Sequence, residues 1–264
     1  MNQKTAESVK INIPTKNNSL LNKALDVINS NSELKALWKV INVNAIDRSG
    51  MSDHGHVHFQ IVANIALRFS RILHSNKVKM NVESDYGLSY DHAEVVIFLA
   101  SLFHDLGMTI DRDGHEGYSL IIANNLLRES LKFLPIEEQV IVTSEVLHVI
   151  ISHRSGGKPL TLEAGIVRVA DALDMSEGRT RIPYEAGITN IFSISASAID
   201  DVEIKEGGKK VIRVKISMNN SSGVFQVDEL LKKKIKGSGL EKYIEVKAVI
   251  MGDKEKKLIK EIIF

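Results

Sequence analysis

The chain of 264 residues is long enough for one large domain or two modest ones, and its 44% hydrophobic and 25% charged residues are ordinary for a globular protein. A net charge of +1 gives no overall electrostatic reason to expect a nucleic acid or a membrane as partner, and the absence of cysteine excludes disulfides and thiolate metal sites. The polar start, Met1 to Thr15, lacks the apolar core of a signal peptide, and no apolar run is long enough to span a membrane. We therefore expect a soluble, cytoplasmic protein.

Apolar periodicity predicts that the first 185 or so residues are nearly all helical. Apolar residues recur three and four positions apart along successive segments, which is typical of helices that bury one face. The predicted helices cover residues 20–29, 34–43, 53–74, 91–103, 115–131, 136–153 and 161–173.

Local signals predict how these helices begin, end and connect. Residues up to Asn18 are expected to form a flexible or loosely docked start, and Asn76 to Ser89 a polar loop with room for a lid role. Asp91 to Glu94 is typical of a capping box, Gly107 of a helix stop, and Thr161 of an N-cap.

The pattern changes after Pro183. Alternating apolar residues predict four strands in this part, with a helix between the second and third. The strands cover residues 201–205, 211–217, 243–250 and 258–264, and the helix covers 227–235. We therefore predict an α+β protein: a helical domain at 1–185 and a small β-β-α-β-β unit at 186–264. Its three lysines, Lys232 to Lys234, are expected to form a solvated helix face.

The histidines are confined to the helical part, where all nine lie between His54 and His153. His58 is in register with the apolar face of its helix, His54 shares that face, and His56 points away. Asp171 lies at the edge of an apolar face, where a carboxylate is costly unless it is paired or bound to metal. Asp174, one turn later, is the weaker ligand candidate.

The pair His104-Asp105 follows directly on the apolar helix that ends near Phe103. A carboxylate at the C-terminal end of a helix faces the negative end of the macrodipole, which costs roughly 0.3–1 kcal/mol. A bound divalent cation would offset this cost. The pair is therefore the leading candidate for a metal site.

These motifs resemble the HD-domain superfamily of metal-dependent phosphohydrolases. The resemblance covers residues 50 to 185 and rests on His58, on the run from His104 to Gly107, and on the run from Val169 to Asp174. It implies that His58, His104, Asp105 and Asp171 bind a divalent metal within a helical bundle. In binuclear members further histidines take part, which implies His115 and His153, with His148 as a competitor for the latter place.

The chain also departs from its better-known relatives. Many members follow the His-Asp pair with Gly-Lys, whereas this chain has Gly107-Met108. The stretch from His153 to Pro159 does not match the motif of the cyclic-dinucleotide phosphodiesterases. We therefore do not assign that substrate.

The predicted chemistry is hydrolysis of a phosphomonoester or phosphodiester bond in a small, nucleotide-like substrate. One or two ions (Mn, Fe, Ni, Co, Zn or Mg) would activate a water, and Asp105 would bridge the ions or take the proton of that water. Arginine suits bidentate phosphate contacts. Candidate phosphate-binding residues are Arg154, Lys158, Arg179 and Arg181, and candidate supporting residues are His54 and His148.

Two other functions remain open at this point. One is a regulatory module that binds a nucleotide or metal without turnover and uses the C-terminal unit to form homo-oligomers or to bind a partner. The other is nucleic-acid processing through the lysine-rich helix, against which the net charge of +1 counts.

Overall fold

The computed structural model describes residues 9–154, 156–175, 191–251 and 261–263. Its α-helices are α1 (Ser19–Ser30), α2 (Ser32–Asn42), α3 (His56–Ser75), α4 (Asn81–Tyr86), α5 (Tyr90–Phe103), α6 (His115–Ser130), α7 (Ile136–Ser152), α8 (Leu162–Leu173), α9 (Ile191–Ser197) and α10 (Lys232–Ile235). Shorter or wider turns cover Val43–Arg48, Leu106–Thr109, Ser221–Gly223 and Gln226–Leu231. The strands are β1 (Ile199–Glu206), β2 (Ile212–Met218), β3 (Ile244–Ile250) and β4 (Glu261–Ile263).

Helix α5 lies at the centre of the helical part. Every residue from His92 to Phe103 is buried, and α1, α3, α4, α7 and α8 pack around it. A helix that is apolar on all sides belongs inside a bundle rather than on its surface. This central position places the residues that follow Phe103 in the interior.

The connections around α5 differ from the predictions. The predicted polar loop at 76–89 contains α4, which is fixed to α8 because Glu163 accepts hydrogen bonds from the amides of Asn81 and Val82 at 3.1 and 3.0 Å. The predicted capping box is wrong, since α5 begins at Tyr90. Glu94 instead accepts hydrogen bonds from Arg71 and from Asn18, at 2.6 and 2.8 Å.

The start of the chain is docked where the structure describes it. Ile11 and Ile13 are buried in the core. The backbone of Ile11 exchanges two hydrogen bonds with the side-chain amide of Asn29, at 2.8 and 3.0 Å. Residues 9–13 therefore extend the helical core.

The C-terminal part contains a four-stranded sheet in the order β1-β2-β3-β4. The outer pairings are antiparallel, whereas β2 and β3 run parallel, with Ile212 opposite Ile244. Parallel neighbours need a crossover, and the helical segment from Gln226 to Ile235 provides it. The α+β class is confirmed; the predicted boundary at 185/186 lies outside the described residues.

The crossover helix packs directly against α8 of the helical part. A Cβ added at Gly165 would lie 1.9 Å from the backbone oxygen of Ser238, so the two backbones are in contact. The guanidinium of Arg168 donates hydrogen bonds to the carbonyls of Gly157 and Lys233, at 2.6 and 3.4 Å. Arg168 therefore joins the two parts of the chain.

None of the helices in the described ranges combines the length and the apolar character needed to cross a membrane.

Candidate metal centre

Four histidines and two aspartates converge at the end of α5. His58 comes from α3, and Asp171 comes from α8. Because α5 ends at Phe103, the His104 and Asp105 side chains lie just beyond its last turn, between these two neighbouring helices. His104 is fully buried, and Asp105 is 4% exposed.

The first half of the cluster is formed by His58, His104 and Asp171. Oδ1 of Asp171 lies 3.4 Å from Nε2 of His58 and 3.8 Å from Nε2 of His104. The two Nε2 atoms are 3.3 Å apart. Oδ2 of Asp105 faces the same point, at 3.9 Å from Nε2 of His58 and 3.5 Å from Nε2 of His104.

The second half is formed by His115, at the start of α6, and His153, directly after α7. Oδ1 of Asp105 lies 3.1 Å from Nε2 of His115 and 3.5 Å from Nε2 of His153. Oε1 of Glu116 lies 3.6 Å from Nε2 of His115. The two oxygens of Asp105 thus face different halves of the cluster.

Each of the four imidazoles is oriented through its Nδ1 atom. In His104, His115 and His153, Nδ1 donates to the backbone carbonyls of Ser101, Arg112 and Ile150, at 3.0, 2.8 and 2.7 Å. In His58, Nδ1 lies 2.6 Å from Oδ2 of Asp174. A carbonyl oxygen can only accept, so Nδ1 carries a proton in those three rings, which leaves Nε2 as the ring atom that can bind a metal in the cluster.

The charges of the cluster follow from burial and proximity. Burial alone would raise the pKa of the Asp105 carboxyl, but His104, His115 and His153 together hold that pKa well below its usual range. The Asp171 pKa is likewise held low, by Lys234 and then by His104 and His58, against the effect of burial. Burial lowers the pKa of His104 to about 3, whereas Asp105 raises the pKa of His115 against the effect of burial. Neutral imidazoles and ionised carboxylates are the forms that bind metals.

The cluster fits a divalent cation. Three overlapping groups each have ligand atoms within 4.8 Å of one another. They are His58 with His104 and Asp171; His104 with Asp105 and His153; and His115 with Glu116 and His153. Nε2 of His115 is buried and makes no hydrogen bond in the described structure. A buried ring nitrogen without a hydrogen-bond partner is costly, and a cation between these groups would satisfy it.

Other predicted residues lie around this cluster or apart from it. The His54 ring is buried, 5.6 Å from the ring of His58. Nε2 of His148 instead accepts a hydrogen bond from the amide of Leu160 at 3.0 Å, so this ring holds the loop after α7, and His153 faces the cluster. Nε of Arg154 lies 3.3 Å from Oε1 of Glu116.

One of the proposed phosphate-binding residues, Lys158, is not brought to the cluster by the described contacts. Lys158 is exposed and makes no ion pair within the described part of the chain. Arg179 and Arg181 lie outside the described residues. Their assignment stays a prediction.

Sequence reasoning missed two charged residues at the cluster. Glu116 is buried beside His115, and its position directly after a ligand candidate was an available signal. Lys234 forms an ion pair with Oδ2 of Asp171, although its helix face was expected to be solvated. Its side chain is only 15% exposed, whereas that of Lys233 is 59% exposed.

The fold and the cluster together define a helical bundle with a His/Asp centre suited to divalent metal. The HD domain family matches residues 56–176, which include all six converging residues. An uncharacterized protein of Methanocaldococcus jannaschii is 38% identical over 238 residues, which cover 90% of this chain and 91% of the relative. The comparison with solved structures finds no match. The chain belongs to the HD-domain superfamily.

Asp174→Asn is expected to weaken metal binding by about 10–100-fold, the usual cost of losing a carboxylate that orients a histidine ligand. Asp174 is buried, and its Oδ2 lies 2.6 Å from Nδ1 of His58. Titration of the metal-free protein with Mn²⁺ measures the effect. Asp26→Asn, an exposed change on α1, is the control. Equal Mn²⁺ affinities for both variants would show that Asp174 does not orient His58.

Proposed function

We propose that this protein is a binuclear metal-dependent phosphohydrolase that cleaves a phosphomonoester or phosphodiester bond in a nucleotide-like substrate. The observation that carries the proposal is that the two oxygens of the Asp105 carboxylate face different pairs of histidines. Its Oδ2 faces His58 and His104, and its Oδ1 faces His115 and His153. A carboxylate shared between two imidazole pairs is the arrangement expected of a ligand common to two cations.

The residues divide into two ligand sets. His58, His104 and Asp171 would hold one ion, and His115 and His153 would hold the other, with Asp105 common to both. Bound divalent ions supply Lewis acidity, which lowers the pKa of a water toward neutrality and polarises a phosphoryl oxygen. The protein contributes fixed imidazole orientations and a buried surrounding that keeps competing water out.

The donor set also favours some metals over others. Four imidazole nitrogens suit Fe, Co, Ni or Zn better than Mg, which prefers oxygen ligands and retains its own waters, and the carboxylates also suit Mn. Elemental analysis of the purified protein would identify the metal and count the ions per chain. More than one equivalent is expected.

The proposed specificity for phosphate is supported by a cationic side chain beside the cluster. Arg154 lies next to Glu116, and its side chain is 60% exposed, so it can turn toward a substrate. Its planar guanidinium matches a phosphate group. The nucleotide part of the proposal is tested by a hydrolysis screen of nucleotides, phosphomonoesters and phosphodiesters with Mn²⁺ present. Metal and nucleotide binding without turnover of any compound would favour the non-catalytic regulatory module.

Removing the metal is expected to abolish hydrolysis and to lower the melting temperature. Ions that bind only the folded state stabilise it by about 2.7 kcal/mol at a hundredfold excess over Kd. For a domain of this size that corresponds to roughly 5–10 °C. Thermal unfolding before and after chelation, and again after Mn²⁺ is restored, measures the change. An unchanged melting temperature and unchanged turnover after verified metal removal would rule out the metal-dependent mechanism.

A further inference from the structure

One cationic side chain of the C-terminal unit, that of Lys234, reaches the metal centre. Lys234, on α10, forms an ion pair with Oδ2 of Asp171, while Oδ1 of the same carboxylate faces His58 and His104. The two oxygens of Asp171 therefore have different partners. Nζ of Lys234 stands at the edge of the first ligand set.

Lys234 is not part of the surface ion-pair pattern of its helix. The two preceding lysines, Lys232 and Lys233, pair with Asp228 and Glu229 four residues earlier, and their side chains are 54% and 59% exposed. The residue four positions before Lys234 is Leu230, which offers no charge. The side chain of Lys234 is 15% exposed, and its partner comes from another helix, 63 residues away in sequence.

Backbone contacts fix this position. Arg168 on α8 donates to the carbonyl of Lys233 at 3.4 Å, and Gly165 lies against the backbone oxygen of Ser238. These contacts, on either side of Lys234, come from the helix that carries Asp171. The ammonium is therefore brought to the cluster by the way the two parts of the chain pack.

The charges around Lys234 imply that its ammonium binds a second anion when Asp171 holds a metal ion. A divalent cation held by Asp171 neutralises the carboxylate on which Lys234 depends and places two like-charged groups side by side. A partly buried ammonium then needs a new negative partner. We propose that Lys234 binds a phosphoryl oxygen of the substrate, so that the C-terminal unit completes the catalytic site. This inference rests on the proposed function, because it requires the metal centre.

The test uses the full chain and two lysine-to-methionine variants. Lys234→Met removes the ammonium at the cluster, and Lys233→Met removes an exposed one from the same helix. Calorimetry measures two affinities for each protein: that of Mn²⁺ for metal-free protein, and that of methylphosphonate, which has no ester bond to cleave, for Mn²⁺-loaded protein. If Lys234→Met does not fold, Lys234→Gln takes its place.

Lys234→Met is expected to weaken methylphosphonate binding by about 10-fold or more, because a charge-assisted hydrogen bond is lost. Its Mn²⁺ affinity should be unchanged or higher, since a competing cation has gone. Lys233→Met should match the unaltered protein in both measurements. Unchanged methylphosphonate affinity in Lys234→Met would overturn the assignment while leaving the metal centre intact. A fall in Mn²⁺ affinity would overturn it too and make Lys234 a positioning residue for Asp171. Failure of the unaltered protein to bind Mn²⁺ would overturn the proposed function itself.

Discussion

Asp105→Ala is expected to remove both metal ions and to lower hydrolysis by about 10³-fold or more. The carboxylate lies between the two imidazole pairs. Its Oδ1 is 3.1 Å from Nε2 of His115, and its Oδ2 is 3.5 Å from Nε2 of His104. An ion that polarises a phosphoryl oxygen supplies several kcal/mol of transition-state stabilisation, and each ~1.4 kcal/mol is tenfold in rate. Losing the residue common to both ligand sets removes that contribution at both positions.

Metal content and turnover are measured together for this variant. Asp113→Ala, an exposed change in the loop that follows, should keep full metal content and full activity. If the alanine variant does not fold in the presence of chelator, the isosteric Asp105→Asn provides the same test. Two ions per chain and undiminished turnover in a folded Asp105 variant would refute the central role of this carboxylate.

The part of the site that could be predicted from sequence is the part that helix geometry controls. His58 shares the apolar face of α3, Asp171 lies at the edge of the apolar face of α8, and α5 is apolar from Val95 to Phe103 except at Ser101. These facts orient each side chain toward the interior before any neighbour is known. We can then predict that these side chains lie close together, because the buried faces of neighbouring helices meet.

The residues that could not be predicted depend on contacts between distant segments. Glu94 fits a capping pattern, yet Arg71 and Asn18 compete for its carboxylate, and the helix begins earlier, at Tyr90. Lys234 approaches Asp171 only because the crossover helix packs on α8. A signal for Lys234 was nevertheless present: it lacks the acidic residue four positions earlier that its two neighbours have. An unpaired member of such a run is a candidate for a distant partner.

Gly107 is a second position at which a contact between distant segments, and not the local sequence, determines which residue fits. The sequence predicts a helix stop there, but the left-handed glycines of the described residues do not include Gly107, which lies in the short turn Leu106–Thr109. A Cβ at this position would lie 2.0 Å from the backbone oxygen of His115 and 2.7 Å from the amide nitrogen of Ser119. Glycine is needed because α6 passes directly over it.

One hydroxyl joins these two segments. Oγ of Ser119 accepts a hydrogen bond from the amide of Gly107 at 2.7 Å and donates one to the carbonyl of His104 at 2.8 Å. The start of α6, which carries His115, is thereby held against the segment that carries His104 and Asp105. The close approach at Gly107 thus sets the spacing between the two halves of the metal centre.

Gly107→Ala is therefore expected to destabilise the fold by about 2–4 kcal/mol, from overpacking against backbone and a weakened Ser119 bridge. The matching fall in melting temperature is roughly 5–15 °C. The half of the centre that contains His115 should lose its ion first, so elemental analysis should find fewer ions per chain.

The matched control for Gly107→Ala is Gly117→Ala, on the exposed face of α6, where an added Cβ meets nothing within 4 Å. That change should leave metal content unaltered and stabilise the helix by up to about 1 kcal/mol. If Gly107→Ala instead unfolds at the same temperature as the unaltered chain and keeps all its metal, then α6 can move away from the turn at no cost. In that case, the spacing of the two ligand sets would have to be fixed elsewhere.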